Sequence, residues 1–150
     1  MRIAIGCDEA AYHLKLEIIG HLKGREEIEL KDFGAGPGET VFYPDIAKSV
    51  AEAVAGGSFE RGILLCGTGI GMAITANKVP GIRAAVCHDP YSAERSRKSN
   101  NAQILCMGER VIGVELCKCL VDIWLGCDFA GGASKQKVAR ITEIEREYIR

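Results

Sequence analysis

The sequence predicts an α/β protein: a three-layer α/β/α sandwich around a doubly wound, five-stranded parallel sheet of Rossmann-like type. Short apolar runs alternate with amphipathic segments along the whole chain. That alternation implies right-handed βαβ units and a sheet covered on both faces. No linker, repeat or low-complexity stretch interrupts it, and 150 residues suffice for one domain, 1–150, with a real core.

Strand 1 is read as Arg2–Gly6. The first helix runs from Ala11 to Lys23, with Leu14, Ile18, Ile19 and Leu22 on one face. Strand 2 is Ile28–Phe33, followed by a Gly/Pro loop, Gly34–Gly38. The second helix begins at Tyr43-Pro44, where proline suits the first turn, and ends near Ala55. Strand 3 is Gly62–Leu65, and Met72–Asn77 is helix-compatible. Strand 4 is Arg83–Cys87. Asp89-Pro90 reads as an N-cap and first-turn proline for a helix to Lys98. Strand 5 is Gln103–Met107, and two helices complete the chain, Gly113–Leu125 and Ser134–Tyr148.

Composition excludes several classes of function. Net charge is −1 with no basic patch, so nucleic acid and membrane surfaces are poor partners. The opening MRIAIGCDEA has too little apolar length for a signal peptide, which makes the cytoplasm the expected compartment. The seven cysteines are odd in number and form no CxxC pair, which argues against a disulfide framework and a zinc site.

In such sheets ligands sit beyond the carboxyl ends of the strands. Cys7, Cys66, Cys87 and Cys106 are read as falling there, with Asp8 and His88. Cysteine at a strand end is usually a small packing residue. Cys66 is set apart by its neighbours in the chain: Gly67, Thr68, Gly69, Ile70 and Gly71, then the start of a helix. Backbone N–H groups in such a loop can cradle an anion or a developing oxyanion. A base at Cys66 beside that cradle is the equipment for moving a proton next to a carbonyl. The loop also admits a dinucleotide-binding reading, although it is GxGxG rather than GxGxxG and comes after the third strand. Elsewhere, His88 is read as a strand-end or capping residue. His13 and His21 are read as solvated, Cys117 and Cys119 as packing residues, and Trp124 as core or subunit contact. Lys135, Lys137 and Arg140 are either an anion site or a charged helix face.

The segments GCDxAxxxLKxEI, VFYPDIAKSVAEAVAGG, GILLCGTGIGMAITANKVPGIRAAVC, YSAERSRKSNNAQILCMGERVIGVEL and VDIWLG keep order and spacing across nearly the whole chain. Together they resemble ribose-5-phosphate isomerase type B and its relatives, the galactose-6-phosphate isomerase subunits. The resemblance implies aldose–ketose isomerisation through a cis-enediolate with no metal and no cofactor, and a homodimer with active sites at the subunit interface; a tetramer is left open. Position by position, it implies Cys66 as the base and Gly67, Gly69 and Gly71 as the enediolate cradle, with Thr68 beside them. It also implies Asp8, Tyr43 and Asn100 as contacts to sugar hydroxyls, and Arg110 as a phosphate-directed group from the partner subunit.

The departures cluster by role. Glu9 stands where the family has a histidine near the phosphate. Ala73 stands where it often has serine, and Ser99 replaces the histidine assigned to furanose ring opening. Ala133-Ser134 and Lys137 stand where two arginine-bearing positions are usual. The proton-transfer residues are intact while the distal site is rewritten. This points to a non-standard substrate: an unphosphorylated sugar, with Glu9 accepting hydroxyl hydrogen bonds, or a tetrose 4-phosphate. The tetrose phosphate cannot close a furanose ring and is favoured because Lys137 and Arg110 remain. The alternatives are a noncatalytic or half-catalytic subunit of a heteromeric isomerase, and a nucleotide-binding module.

Overall fold

A computed structural model describes residues 1–149. The elements run β1 (Arg2–Cys7), a 3-10 turn (Glu9–Ala11), α1 (Tyr12–Leu22), β2 (Glu29–Asp32), α2 (Tyr43–Ala55) and β3 (Arg61–Cys66). They continue with α3 (Ile70–Ala76), β4 (Ala84–Val86), α4 (Pro90–Lys98), β5 (Ile104–Gly108), α5 (Val114–Leu125) and α6 (Ala133–Tyr148). The strands form one sheet of order β2-β1-β3-β5-β4, with every pairing parallel. The doubly wound sheet read from the sequence is therefore the observed one, with element boundaries shifted by one or two residues.

Two cores arise from the alternation of side chains along each strand. Ile3, Ile5, Cys7, Ile63, Leu65, Leu105 and Met107 face α1 and α5. Ala4, Leu64, Cys66, Ile104 and Cys106 face α2 and α3. The order also fixes where a ligand can sit. The chain leaves β1 for β2 on one side and crosses to β3 on the other, so a crevice opens between the carboxyl ends of β1 and β3. Cys7-Asp8 and Cys66-Gly67 flank it.

Local chemistry sets the ends of the elements. Asp89 caps α4 by accepting from the Ser92 N–H at 2.7 Å, as its position before Pro90 predicts. The free edge at β4 is closed by a side chain: Asn77 accepts from the Ala84 N–H at 2.8 Å and donates to the Ala84 carbonyl at 2.9 Å. Along α6 only Val138 is buried, while Ile141, Ile144 and Tyr148 are exposed. Its Glu145 carboxylate accepts from the Gly81 N–H at 2.9 and 3.1 Å.

Three buried cations are not legible as such in the sequence. Lys15 lies on the inner face of α1, fully buried, and donates to Asp32 at 2.9 Å and to the Ala35 carbonyl. Arg61 donates to the carbonyls of Trp124 and Cys127 at 2.7 Å each, and to Asp128 at 2.9 Å. Its guanidinium lies 5.3 Å from the centre of the Trp124 ring. Arg97 reaches the Ala102 carbonyl at 2.8 Å, and burial with the nearby Arg61 charge pulls it down to about 10. Three other readings change, and of the two kept open for Trp124 the core one holds. His21 is half-buried, in contact with Asp122 at 2.9 Å and Arg25 at 3.1 Å, rather than solvated. Cys119 is exposed rather than packed, whereas Cys117 is buried. Cys106 lies within β5, fully buried, rather than at its end. Trp124 belongs to the core, fully buried.

Arg61 joins the start of β3 to the last carbonyls of α5. Arg61→Met removes the short donors to those carbonyls and leaves long contacts, from the Cys127 N–H to Trp124 at 3.4 Å and from Arg97 Nε to Cys127 at 3.5 Å. It should cost about 3 kcal/mol, the scale for unpaired buried polar groups, and lower Tm by roughly 6 to 12 °C for a chain of this size. Urea and thermal unfolding measure both.

Candidate active site

The crevice is a cleft of about 430 Å³ lined by Asp8, Tyr43, Cys66, Gly67, Thr68, Ile70, Gly71, Ile74 and Arg110. The sequence-predicted residues that meet here come from four segments: the end of β1, the start of α2, the loop after β3 and the turn after β5. Gly69 completes that loop beneath the surface.

Cys66 forms the floor, 5% exposed. Gly69 folds back over it with φ +78°, a left-handed conformation that glycine adopts without steric cost, and donates its N–H to Cys66 Sγ at 3.0 Å. That bond fixes the thiol in the cleft. The loop is drawn tight against the turn after β5. Glu109 N donates to the Cys66 carbonyl at 2.9 Å, and Arg110 N to the Gly67 carbonyl at 3.0 Å. A Cβ on Gly108 would lie 2.5 Å from Thr68 Cα, so only glycine permits this approach. A Cβ on Gly71 would meet the Tyr43 ring at 2.5 Å, so the tyrosine lies directly across the loop. No acceptor among the described residues takes up the Gly67 and Thr68 amides, which are free for an oxyanion.

Two charged groups face this floor. Asp8 accepts from the Ala10 N–H at 3.1 Å. Its carboxyl is pushed above the usual range, first by burial and then by the neighbouring Glu9 charge, while Arg110 and backbone donors pull the other way. Arg110 has no carboxylate within 4.0 Å among the described residues, although it lies against Gly67 with Nη1 3.2 Å from a Cβ built there. An unpaired guanidinium in a cleft is an anion site in waiting.

The remaining predicted residues fall elsewhere. The resemblance assigns Arg110 to a partner's site, but the turn after β5 delivers it to the cleft of its own chain. Glu9 does not line the cleft. Its carboxylate accepts from the Val41 N–H at 3.2 Å, in a neighbouring groove with Tyr12, Gly36, Gly38, Glu39 and Thr40. Ser99 caps α4 and accepts from Arg95 at 3.4 Å. Asn100 lines a separate pocket with Ala85, Val86, Cys87, Ser92, Arg95 and Ser96. Lys137 is exposed on α6. Arg140 pairs with Glu143 and Glu147 on that helix, so this face carries internal ion pairs. His88 accepts from the Gly108 N–H at 2.9 Å, which is a structural role at the strand end. Sequence reasoning missed Glu109, whose side chain reaches back to α1; its signal was only a carboxylate beside Arg110.

Four of the other thiols are silenced by burial. It pushes Cys7 up to about 11 and Cys117 up to about 12, and it raises Cys87 and Cys106 as well. Among the described residues no three His, Cys, Asp or Glu side chains gather as a metal site, and no helix is long and apolar enough to cross a membrane.

The chain is similar to known proteins over nearly its whole length. Residues 3–141 match the family model described as Ribose/Galactose Isomerase. The chain is 56% identical to the ribose-5-P isomerase B of Listeria innocua, over 98% of this chain and 99% of that one. It is 51% identical to the D-erythrulose-4-phosphate isomerase of Pectobacterium atrosepticum, over 98% and 97%. The solved ribose-5-phosphate isomerase B of Clostridium thermocellum superposes with a TM-score of 0.96 at 51% identity, covering 99% of this chain and all of that one.

Alkylation reads the thiol environments directly. At pH 8 iodoacetamide should modify Cys66 and Cys119 first. Cys7, Cys87, Cys106 and Cys117 should lag by more than about tenfold, because a raised thiol stays protonated and unreactive until the pH climbs toward its own value. Peptide mass spectrometry over time and pH gives the order.

Proposed function

The chain belongs to the ribose/galactose isomerase family, and from that premise we propose that this sugar-phosphate aldose–ketose isomerase acts on a short-chain sugar phosphate, a tetrose 4-phosphate, with Cys66 as its base. The observation that carries the reading is the bond from Gly69 N–H to Cys66 Sγ on the floor of the cleft, beside the free Gly67 and Thr68 amides.

Cys66 Sγ takes the proton from C2 of the aldose. The C–H electrons form the C1–C2 double bond, and the carbonyl electrons move onto O1, held by the loop amides. Asp8, with its raised carboxyl, relays the O2 proton to O1. Cys66 then returns its proton to C1, leaving a hydroxyl at C1 and a carbonyl at C2. Atoms and charge balance without a cofactor. Tyr43 orients hydroxyls from across Gly71, and Arg110 supplies positive charge for the anionic end.

Two features favour the short substrate. Ser99 stands where the resemblance places the ring-opening histidine, and a tetrose 4-phosphate needs no ring opening. A relative 51% identical over 98% of this chain is named for D-erythrulose 4-phosphate. Glu9 no longer needs to touch substrate in this reading; it braces Val41.

The site is completed by a second copy in a homodimer. Asn100 and Lys137 are outside the cleft of their own chain, while the cleft is lined by exposed apolar side chains, Ile70 at 55% and Ile74 at 59%, and Phe42, at 81%, is next in the chain to its Tyr43. A partner laid over the cleft would cover them and bring its own Asn100 and Lys137 to the sugar. The small size, the charge balance and the small-molecule cleft support a cytoplasmic metabolic role.

The decisive measurement is kcat/KM across four-, five- and six-carbon sugars, free and phosphorylated. A tetrose 4-phosphate should rank first. A highest value for ribose 5-phosphate, unimproved by Ser99→His, overturns the substrate assignment. Cys66→Ala and Cys66→Ser should fold and lose at least about two orders of magnitude in turnover, the scale of general acid–base catalysis.

Subunit mixing tests the shared site. Cys66→Ala and Asn100→Ala chains, each inactive alone, should regain up to about a quarter of wild-type activity when refolded together, because half of the dimers are mixed and each holds one intact site. No recovery places Asn100 outside the partner's site.

A further inference from the structure

Glu109 has no place in the chemistry above, yet its contacts span the site. Its backbone N–H holds the Cys66 carbonyl at 2.9 Å. Its side chain turns the other way: Oε2 accepts from the Leu14 N–H at 3.1 Å, across 95 residues of chain, and Oε1 lies 3.8 Å from His13 Nδ1. Leu14 is in the first turn of α1, where helix amides lack intrahelical partners and no other side-chain cap is present. The carboxylate therefore finishes a helix that comes directly after the Asp8 turn.

The adjacent residue is Arg110. A glutamate next to an unpaired arginine is its natural counter-ion, and a pair between them would neutralise the cleft's guanidinium. No such pair forms; Arg110 has no carboxylate within 4.0 Å among the described residues.

We propose that Glu109 is a positioning residue for the anion-binding end of the cleft: its carboxylate, engaged by the first turn of α1, ties the Asp8 turn to the turn that carries Arg110 and leaves Arg110 free for the substrate's phosphate. The inference rests on the reading of Arg110 as the anion-directed group. It opposes simple electrostatics in sign. A bystander carboxylate one residue from a phosphate site weakens anion binding, so removing it would tighten phosphate. A positioning carboxylate does the reverse.

The test is calorimetric binding of inorganic phosphate, together with KM and kcat for the preferred sugar phosphate, to the full chain and its variants. Glu109→Ala should weaken phosphate and raise KM about tenfold, with kcat within about twofold, because the loss is one of placement rather than chemistry. Glu109→Gln keeps an acceptor for Leu14 N–H without the charge and should bind phosphate as wild type or tighter. Glu109→Asp, one methylene short of Leu14, should behave as Glu109→Ala and replaces it if that variant fails to fold. If Glu109→Ala or Glu109→Asp lowers Tm while phosphate affinity and KM stay at wild type, the carboxylate is a helix cap alone and the proposal falls. If Arg110→Ala binds phosphate as tightly as wild type, the anion reading beneath it fails and takes the proposal with it. Weakened phosphate in Arg110→Ala beside unchanged binding in Glu109→Ala overturns the positioning role and spares the anion site.

Discussion

The site depends on a place where two stretches of backbone touch without side chains between them. The loop after β3 and the turn after β5 approach so closely that a Cβ on Gly108 would fall 2.5 Å from Thr68 Cα, and one on Gly69 would fall 3.0 Å from the Met107 backbone. That contact has several consequences. It bends the loop until Gly69 N–H meets Cys66 Sγ, and it lets the Glu109 and Arg110 amides bond to Cys66 and Gly67. It also delivers Arg110 to the same cleft as the thiol. A side chain at either glycine would separate the two loops, and with them the Cys66 thiol from the Arg110 guanidinium.

The fold is legible in the sequence because its determinants are local and repeated. Asp89-Pro90 and Tyr43-Pro44 mark helix starts by their own chemistry. The apolar runs at Ile3–Ile5, Ile63–Leu65 and Ile104–Leu105 announce strands buried on both faces. Cys66 and the glycines after it are legible for the same reason: a strand, a turn and a helix start lie within a dozen residues. Asp8 is placed by the strand-end rule and Tyr43 by family resemblance, and the crevice between β1 and β3 then explains why they meet Cys66.

What the sequence conceals is long-range. Lys15 looks like a solvent-facing helix residue until Asp32, at the end of β2, and the Ala35 carbonyl, in the loop after it, are brought to it. Arg61 looks like a strand-flanking surface charge until the end of α5 arrives above it. A buried cation is tolerated only with its partners assembled, and for Lys15 and Arg61 those partners lie 17 to 67 residues away. The position of Arg110 is hidden for a related reason: it is set by β5 lying next to β3, a pairing that sequence order does not announce. Glu9, read by charge alone, looks like a group facing substrate, whereas a nearby amide takes its carboxylate.

The side chain of Asn77 at the rim of the sheet shapes how molecules of this kind can meet one another. By offering Ala84 both an amide donor and a carbonyl acceptor, it imitates one residue of a sixth strand. The opposite rim, β2, presents Glu29, Lys31 and Asp32, whose charges discourage an incoming strand. Neither border of the sheet therefore welcomes a neighbour's backbone. Copies that associate must recognise one another through side chains on helices and loops, where each contact depends on a particular residue, and not through the indiscriminate pairing of main chains that leads to fibres.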